Sequence, residues 1–557
     1  MKRHPRLALV VISFALLAVL PPTGAFAQNP PPKPRPPLTV AEASDFKATS
    51  RYADVMAFLR ELQMQSSYLR VEFLGTSTEG YDIPLVVVGH PVPASPNDPR
   101  TAGKAVIYIQ ANIHAGEVEG KEASLMLIRD LFQRTRLPYL DRLVILVAPI
   151  FNVDGNEKIS PANRRQQPGP EEGVGVRPNG QNLDLNRDAM KAESPEIRGL
   201  LENVLNRWDP VLLVDCHTTN GAHHEQTVTY AWPLNPNGDR DLIEFQRSNM
   251  LPAVERIMKA AYGTLAVGYG MFRDPRAPEK GWQTLEPQPR YLTNYIGLRN
   301  RLAILDENYV HADYKTRVIS NYNFLLAVLD YSYANAGLLL KATAEADART
   351  VARGLAAKPA GLFGLDFDLR ALPNPVTILG FEMESVQREG APFPQMKPTG
   401  RKKAYTVPYY ADFVPKTTVP LPAGYLISPP NAGVVENLVR HGLLVERLSA
   451  PAKLEVQTFK IKEIKAAANF YQGHRLNAVS GEYAAETKEF PAGTIFVTLA
   501  QPLANVAAYL LEPQSDDGLV VWNFFDRDLV GQWARQPSPC PVYKLMAPVP
   551  LVKETVR

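Results

Sequence analysis

The stretch that decides the fold is residues 105–134, "AVIYIQANIHAGEVEGKEASLMLIRDLFQR". It begins with an apolar run of the kind that a buried central strand needs, and it ends with helical spacing of apolar residues. The polar loop between them holds His114 and Glu117, three positions apart. At a strand-to-helix junction both side chains can reach one point, and an imidazole with a carboxylate suits zinc. Such a pair is common by chance, so a metal site also requires a third ligand elsewhere in the chain.

Similar apolar runs recur between helical patterns: "RLVILVAPI" at 142–150, "PVLLVDCH" at 210–217 and "LAILDENY" at 302–309. This alternation predicts an α/β fold over residues 49–355, with a mixed, mostly parallel central sheet and helices on both faces. After residue 360, "TIFVTL" followed by "PLANVAAYLLEP" repeats the strand–helix theme on a smaller scale. We therefore expect a second, smaller α+β domain over residues 360–557, whose role the sequence does not indicate.

The first residues have the features of a secretory signal. "MKRHPR" is basic, "LALVVISFALLAVL" is apolar, and "AFA" provides a small-residue cleavage site ending at Ala27. We expect residues 1–27 to be a signal peptide, residues 28–48 to be a proline-rich extended tether, and the protein to be secreted or periplasmic. The apolar run is short for a membrane helix, so no membrane span is expected once the signal is removed.

Charge and cysteine content exclude other classes. The formal net charge is +3, and it falls to zero without Lys2, Arg3 and Arg6, so nothing indicates a nucleic-acid partner. Cys216 and Cys540 are the two cysteines of the chain. Two distant cysteines do not make a disulfide scaffold, and a bridge between them is not expected.

A third ligand is available at the end of another strand. His217 ends the apolar run of "VLLVDCHTTNG", where open α/β sheets place their sites. Strand alternation puts Asp215 and His217 on one side and Cys216 on the other, which predicts a packed thiol at Cys216. His223 and His224 are rival ligands further along the loop.

Glu307 is the candidate acid/base. A carboxylate at the end of a buried strand is costly unless it is paired or lies near a metal. Asp306 and Glu307 point to opposite faces of their strand, so one of them can enter a site, and Glu307 has the longer reach. A structural salt bridge is the alternative interpretation.

Two polar loops offer groups that could hold a substrate. In "NLDLNRD", residues 182–188, Asn186 and Arg187 are adjacent, and the guanidinium fork matches a carboxylate. Asp184 could orient a ligand histidine through the ring nitrogen that does not bind the metal. Upstream, Arg164 and Arg165 are candidates to polarise a carbonyl, unless they are solvated loop arginines.

Together these motifs resemble a known family. "STEG", "HAGE", "NVDG", "DLNRD", "DCH" and "ENY" occur in the order and approximate spacing of the zinc carboxypeptidases of the carboxypeptidase A/B superfamily. The resemblance covers roughly residues 50–335. "DCHTTNG" and "YIGLRNR" also look like a bacterial exported branch that carries an extra C-terminal domain.

The resemblance implies one Zn²⁺ per chain, with His114, Glu117 and His217 as its ligands. It assigns the general acid/base to Glu307 and the support of a ligand histidine to Asp184. It places the binding of the substrate's terminal carboxylate on Asn186 and Arg187, and the polarising arginine within the pair Arg164 and Arg165. The tyrosine that covers the substrate is matched to Tyr295, with Tyr291 as the second choice.

The predicted function is that of an exported zinc metallocarboxypeptidase. Its substrate would be a peptide, or a small peptide-like molecule, with a free carboxylate. One alternative is a zinc amidohydrolase that acts on cell-wall peptides or N-acyl amino acids; another is a catalytically silent binding protein of the same fold. Residues 268–300 depart from the family's usual specificity-pocket pattern, so the sequence predicts no side-chain preference.

Overall fold

The structure is a computed structural model that describes residues 36–98, 101–133, 135–219, 221–358, 361–387, 395–530 and 538–556. The strands before residue 355 are β1 (Leu69–Thr76), β2 (Asp82–Val88), β3 (Ala105–Ala111), β4 (Leu143–Ala148), β5 (Leu212–Thr218), β6 (Val228–Ala231), β7 (Ala266–Gly268), β8 (Met271–Phe272), β9 (Trp282–Gln283) and β10 (Leu302–Asn308). The helices of this part are α1 (Val40–Ala43), α2 (Tyr52–Gln65), α3 (Glu119–Asp130), α4 (Tyr139–Arg142), α5 (Val153–Asn156), α6 (Pro195–Leu200), α7 (Arg240–Phe245), α8 (Leu251–Tyr262), α9 (Leu292–Leu298), α10 (Tyr314–Ala334) and α11 (Ala336–Leu355).

An eight-stranded sheet with the order β1-β2-β4-β3-β5-β10-β6-β7 forms the centre of this part. The pairs β3–β4, β3–β5, β5–β10 and β6–β7 are parallel, and the pairs β1–β2, β2–β4 and β6–β10 are antiparallel. Strands β4 and β5 are buried along their whole length, which is why the sequence shows them as continuous apolar runs. The prediction of a mixed, mostly parallel α/β sheet is therefore confirmed.

Helices pack directly on the sheet, and Gly120 allows the close approach of α3 to β5. Helix α3 packs against β3 and β5, and α9 packs against β5 and β10. A Cβ atom at Gly120 would lie 2.4 Å from the Cβ of Cys216, so a side chain at position 120 would push α3 away from β5. Cys216 is a buried free thiol, as expected, and Cys540 is free and buried as well.

The second part of the chain is rich in strands. Its strands are β11 (Leu362–Ala371), β12 (Val376–Val386), β13 (Gln395–Val407), β14 (Tyr409–Pro420), β15 (Gly424–Ile427), β16 (Val445–Leu448), β17 (Ala452–Ala466), β18 (Asn477–Phe490), β19 (Ile495–Thr498), β20 (Val542–Leu545) and β21 (Lys553–Thr555). Its helices are α12 (Ala432–Arg440), α13 (Ala504–Leu511) and α14 (Asp526–Leu529). A seven-stranded sheet with the order β18-β17-β20-β15-β19-β16-β21 is its largest layer.

A smaller sheet contains strands from both parts of the chain. Its order is β11-β14-β9-β8, so the C-terminal strand β14 pairs with β9 from the region before residue 355. The pairing is parallel, with Tyr409 opposite Trp282 and Tyr410 opposite Gln283. The division into domains at residues 49–355 and 360–557 stays a prediction, since this sheet joins the two segments.

The beginning of the described chain is held on the surface of α3. The expected signal peptide, residues 1–27, lies outside the described residues, as do residues 28–35 of the expected tether. Residues 40–43 form α1, because Thr39 and Glu42 make a capping box and Arg129 bonds to Glu42 and to the Pro37 carbonyl. The end of the predicted tether is thus folded rather than extended. Within the described ranges no helix has both the length and the apolar content that crossing a membrane requires.

Candidate metal centre

Three polar side chains meet at the ends of two neighbouring strands. His114 and Glu117 lie in the loop that joins β3 to α3, and His217 lies on β5, which pairs with β3. The Nδ1 atom of His114 is 3.1 Å from Glu117 Oε2, and the Nδ1 atom of His217 is 3.0 Å from the same oxygen. The two Nδ1 atoms are 3.1 Å apart, and each of the three residues is 3% exposed.

The outer ring nitrogens are held by carboxylates. His114 Nε2 lies 3.0 Å from Asp184 Oδ1, and His217 Nε2 lies 2.8 Å from Asp215 Oδ2. In the tautomer with an N–H group at Nε2, each ring donates to its carboxylate, and the Nδ1 lone pair is directed at the shared point. Asp184 thus contacts the ring nitrogen of His114 that faces away from the cluster, and Asp215 has the same relation to His217.

This donor set fits a zinc ion. Ligand atoms bound at about 2.0–2.1 Å in a tetrahedral arrangement lie about 3.3 Å from one another, close to the separations in this cluster. Burial lowers the pKa of His217, but Asp215 and Glu117 raise it by more, so that it lies well above its usual value. The cluster therefore favours positive charge at this point, which a divalent cation would supply.

Glu117 is held as a carboxylate by its neighbours. Burial alone would raise its pKa, but His114, Arg164 and His217 together keep that pKa well below its usual range. The backbone N–H of Thr218 also donates to Glu117 Oε2, at 3.1 Å. An ionised carboxylate is the form that binds a metal ion.

Glu307 lies beside this cluster. It is directly opposite His217 in the parallel pair β10–β5, and it lines the same cavity. Its Oε2 atom is buried and makes no hydrogen bond to the described residues. Burial, reinforced by the charge of Glu117, raises the pKa of Glu307 to about 7. Asp306 points the other way and accepts a hydrogen bond from Asn321 at 2.8 Å, so Glu307 is the carboxylate of this strand that enters the cavity.

The cavity has a volume of about 300 Å³. Its lining includes the three clustered residues and Glu307, and also Arg177, Asn186, Arg187, Thr218, Thr219, Tyr269, Met271, Leu285, Tyr291, Thr293 and Leu305. Glu117 and Glu307 are the carboxylates among these lining residues. The three candidate metal ligands, a carboxylate with a raised pKa and three polar or cationic groups from residues 177–187 thus line one cavity.

Asn186 and Arg187 form one wall of the cavity. Asn186 Oδ1 accepts a hydrogen bond from the Leu292 backbone N–H at 2.9 Å, which leaves its amide N–H groups to serve as donors. The Arg187 guanidinium lies over the Tyr291 ring, 4.2 Å from its centre. Both residues of the predicted carboxylate clamp therefore line the cavity that contains the His114–Glu117–His217 cluster.

The arginines differ from the prediction. Arg164 donates from Nη1 to Glu117 Oε1 at 3.0 Å, from Nη2 to the Thr218 carbonyl at 3.2 Å and from Nε to Gln167, so its guanidinium is occupied by the protein. Arg165 is exposed and is not one of the residues that line the cavity. Arg177 lines the cavity with its side chain 39% exposed, and its Nε donates to Asp184 at 2.8 Å.

Sequence reasoning missed Arg177. The expectation that the substrate-facing arginine belongs to the pair Arg164 and Arg165 is corrected by the contacts of Arg164 and the exposed position of Arg165. The sequence did contain one indication that Arg177 could face the substrate. It lies nine residues before Asn186 in the same polar segment, "RPNGQNLDLNR".

The tyrosine prediction is also corrected. Tyr295 is fully buried in α9, and its hydroxyl hydrogen-bonds to Nδ1 of His441 at 2.7 Å. It is not in contact with the cavity, whereas Tyr291, one helical turn earlier, lines it. The alternative histidine ligands, His223 and His224, are not part of the cluster. His224 hydrogen-bonds to the Gln226 carbonyl, and His223 stacks on His311.

Comparison with known proteins agrees with this description. Residues 55–250 match the model of the zinc carboxypeptidase family. A search of curated proteins found no match.

Among solved structures, a metallo-carboxypeptidase from Burkholderia cenocepacia is 20% identical, with a TM-score of 0.38 over 51% of this chain and 70% of that one. One from Pseudomonas aeruginosa, in complex with (2-guanidinoethylmercapto)succinic acid, is 20% identical, with a TM-score of 0.36 over 50% and 68%. Carboxypeptidase A from Helicoverpa armigera is 16% identical, with a TM-score of 0.38 over 52% and 75%. The segment that matches the zinc carboxypeptidase family model, residues 55–250, contains His114, Glu117 and His217.

Proposed function

We propose that this protein is an exported zinc metallocarboxypeptidase that removes C-terminal residues from peptides. The observation that carries the proposal is the presence of Glu307 and the pair Asn186/Arg187 in one cavity with the His114–Glu117–His217 cluster. The basic, apolar and small-residue segments of residues 1–27 support export.

Each group of the cavity has a role in this hydrolysis. A bound zinc ion supplies a Lewis acid, which polarises a carbonyl and lowers the pKa of a water molecule. Glu307, whose Oε2 atom makes no hydrogen bond to the described residues, accepts the proton of the attacking water and passes it to the leaving amine. Arg177 donates N–H groups to the carbonyl oxygen as negative charge develops on it.

The same cavity explains why a chain end would be selected. Asn186 and Arg187 offer N–H donors, and an arginine fork binds a carboxylate with two parallel hydrogen bonds. A substrate whose terminal carboxylate is held there has its last peptide bond near the metal cluster and Glu307. Tyr291 lies against Arg187 and can cover the bound residue.

The lining also favours one class of terminal residue. Met271, Leu285 and Leu305 give the cavity an apolar part, and the lining has no carboxylate besides Glu117 and Glu307. A cationic side chain would find no partner outside the catalytic groups, so we infer a preference for neutral, apolar C-terminal residues.

The test is a peptide-library digest by zinc-loaded protein, read by mass spectrometry, with each peptide present as a free acid and as a C-terminal amide. The proposal expects single residues to be lost from the free acids and not from the amides. Cell-wall peptides and N-acyl amino acids form further arms of the assay. Cleavage confined to those arms would favour the amidohydrolase alternative, and binding without any cleavage would favour a silent protein.

A further inference from the structure

The C-terminal part of the chain reaches the substrate side of the cavity through the end of its longest hairpin. Strands β17 and β18 are joined by residues 467–476, and within this connection residues 471–474 form a tight turn. Gln472 and Gly473 both have positive φ, 51° and 82°, as the two central residues of such a turn require. This backbone conformation presents the Gln472 side chain to the catalytic part.

Gln472 bonds to the segment that carries the carboxylate clamp. Its Oε1 atom accepts a hydrogen bond from the backbone N–H of Asp184 at 2.9 Å. Asp184 in turn begins the short helical turn Leu185–Arg187 by accepting the Asn186 N–H at 3.0 Å. The position of Asn186 and Arg187 therefore depends on a contact made by a residue almost 300 positions later in the chain.

The same turn anchors the far end of this segment. His474 Nε2 lies 2.8 Å from Glu193 Oε2, and its Nδ1 lies 3.1 Å from Asn523 Oδ1. Glu193 is also 3.1 Å from Lys191 Nζ, which is fully buried. Residues 184–193 are thus held at both ends by the turn 471–474.

A second segment of the cavity is held by the adjoining loop, residues 515–523. Asp517, which is fully buried, lies 2.8 Å from Arg290 Nε and also accepts the Arg290 backbone N–H at 2.9 Å. The Arg290 guanidinium lies over the rings of Tyr471 and Trp522, 5.3 Å and 5.5 Å from their centres. Arg290 directly precedes Tyr291, so this loop sets the position of the tyrosine that lines the cavity.

The two held segments meet at the cavity. Asn186 accepts the Leu292 N–H, and Arg187 stacks on Tyr291. By contrast, among the described contacts of His114, Glu117 and His217 none involves a residue after position 357. The C-terminal contacts therefore act directly on the substrate wall, and they reach His114 indirectly, through Asp184.

We propose that the turn 471–474 and the loop 515–523 hold residues 184–193 and 285–293 in place and so position the carboxylate-binding wall of the cavity. Gln472 and Asp517 are the positioning residues. This inference rests on the proposed function, because it assigns a purpose to the wall that would bind the substrate's chain end.

The decisive variant is Gln472→Gly, which removes the acceptor while glycine keeps the positive φ of the turn. For a free-acid peptide, KM rises about fivefold, as expected for one lost hydrogen bond, while kcat changes by less than twofold and zinc content stays at the wild-type level. Gln472→Glu keeps an acceptor of the same reach and restores the wild-type KM. Glu463→Gln, on the exposed part of the same hairpin, is the matched control and leaves KM unchanged.

Hydrogen exchange gives a readout that is independent of activity. In Gln472→Gly the backbone amides of residues 184–193 exchange faster, and in Asp517→Asn those of residues 285–293 do so, while strands β3 to β5 keep their protection. Unchanged exchange in these segments together with an unchanged KM overturns the inference. If wild-type protein cleaves no peptide, the proposed function fails, and the exchange data still decide whether the turn and the loop hold the two segments.

Discussion

Glu307 and His217 are directly opposite each other on adjacent parallel strands, β10 and β5. Because parallel strands end at the same edge of a sheet, this register puts a half-buried carboxylate next to a predicted metal ligand without help from any loop. The spacing between the acid/base candidate and His217 is therefore set by backbone pairing between β10 and β5.

Replacing Glu307 by glutamine tests its role. Glutamine keeps the size of the side chain but cannot accept the water's proton, so turnover should fall by about a hundredfold to ten-thousandfold while zinc stays bound. Turnover on a free-acid peptide and zinc content by elemental analysis are the two measurements. Glu345→Gln, an exposed carboxylate on α11, serves as the control. Wild-type turnover in Glu307→Gln would remove this residue from the chemistry.

Replacing His217 by alanine tests the metal centre. The variant should lose both zinc and activity, because one of three ligand atoms is removed. His223→Ala is the matched control, since His223 stacks on His311 outside the cluster, and it should keep a full complement of zinc. Stoichiometric zinc in dialysed His217→Ala protein would contradict the assigned ligand set.

Arg177 and Arg165 give opposite predictions. Arg177→Ala should lower kcat/KM by about a hundredfold or more, the usual effect of losing a donor to a developing oxyanion. Arg165→Ala should have no effect, because Arg165 is exposed and away from the cavity. Steady-state kinetics on one free-acid peptide, with zinc content measured in parallel, compares the two. Equal losses would return the role to the 164–165 pair.

The apolar lining predicts the order of substrates. Peptides that differ only in their last residue should be cleaved faster when that residue is Leu, Met or Phe than when it is Lys or Arg. The reason is that the lining supplies apolar contacts from Met271, Leu285 and Leu305 and no carboxylate beyond Glu117 and Glu307. Competition between such peptides in one mixture measures the ratio of kcat/KM directly. Faster release of lysine would contradict this interpretation of the cavity.

His441 predicts a pH dependence of stability. Burial, together with the nearby cations Arg299 and Arg440, lowers its pKa from 6.5 to about 3. Above pH 6.5 the ring is neutral in both states; between pH 6.5 and 3 the unfolded chain binds a proton that the folded chain does not. In that window His441 therefore lowers the free energy of unfolding by about 1.4 kcal/mol for each pH unit of acidification, and its contribution stops changing below pH 3.

The comparison variant is His441→Asn, which keeps a hydrogen-bonding group in the same place but cannot be protonated. Unfolding midpoints in denaturant, measured from pH 7 to pH 4, should fall more steeply for wild-type protein than for the variant. If the unfolding midpoints of wild-type protein and His441→Asn fall equally with decreasing pH, His441 is not buried in its neutral form.

Much of the site was predictable because it lies at strand ends. His217 and Glu307 each end a continuous apolar run, and His114 with Glu117 follows a third, so the edge of the sheet could be located from hydrophobic pattern alone. Asn186 and Arg187 were identified from adjacent polar groups. The roles of these residues remain predictions until the variants are measured.

What could not be predicted depends on contacts between distant residues. Tyr291 and Tyr295 are one helical turn apart, and nothing local shows that His441 covers Tyr295 while Tyr291 stays open to the cavity. Arg177 lies in an irregular loop, where no periodicity indicates side-chain direction. Strands β8 and β9 have two residues each, too few to give a pattern, so the sheet they share with β14 was not foreseen.

That shared sheet has a consequence for anyone who would shorten the protein. The backbone N–H of Trp282 donates to the Pro408 carbonyl, and the indole fills a fully enclosed position at the junction. In a fragment that ends near residue 355, the Trp282 amide has no acceptor and its indole becomes exposed to solvent. Arg299 and Tyr295 also lose their hydrogen bonds to His441. The segment before residue 355 thus lacks groups that complete its own hydrogen bonds, and both parts of the chain are needed to keep this junction intact.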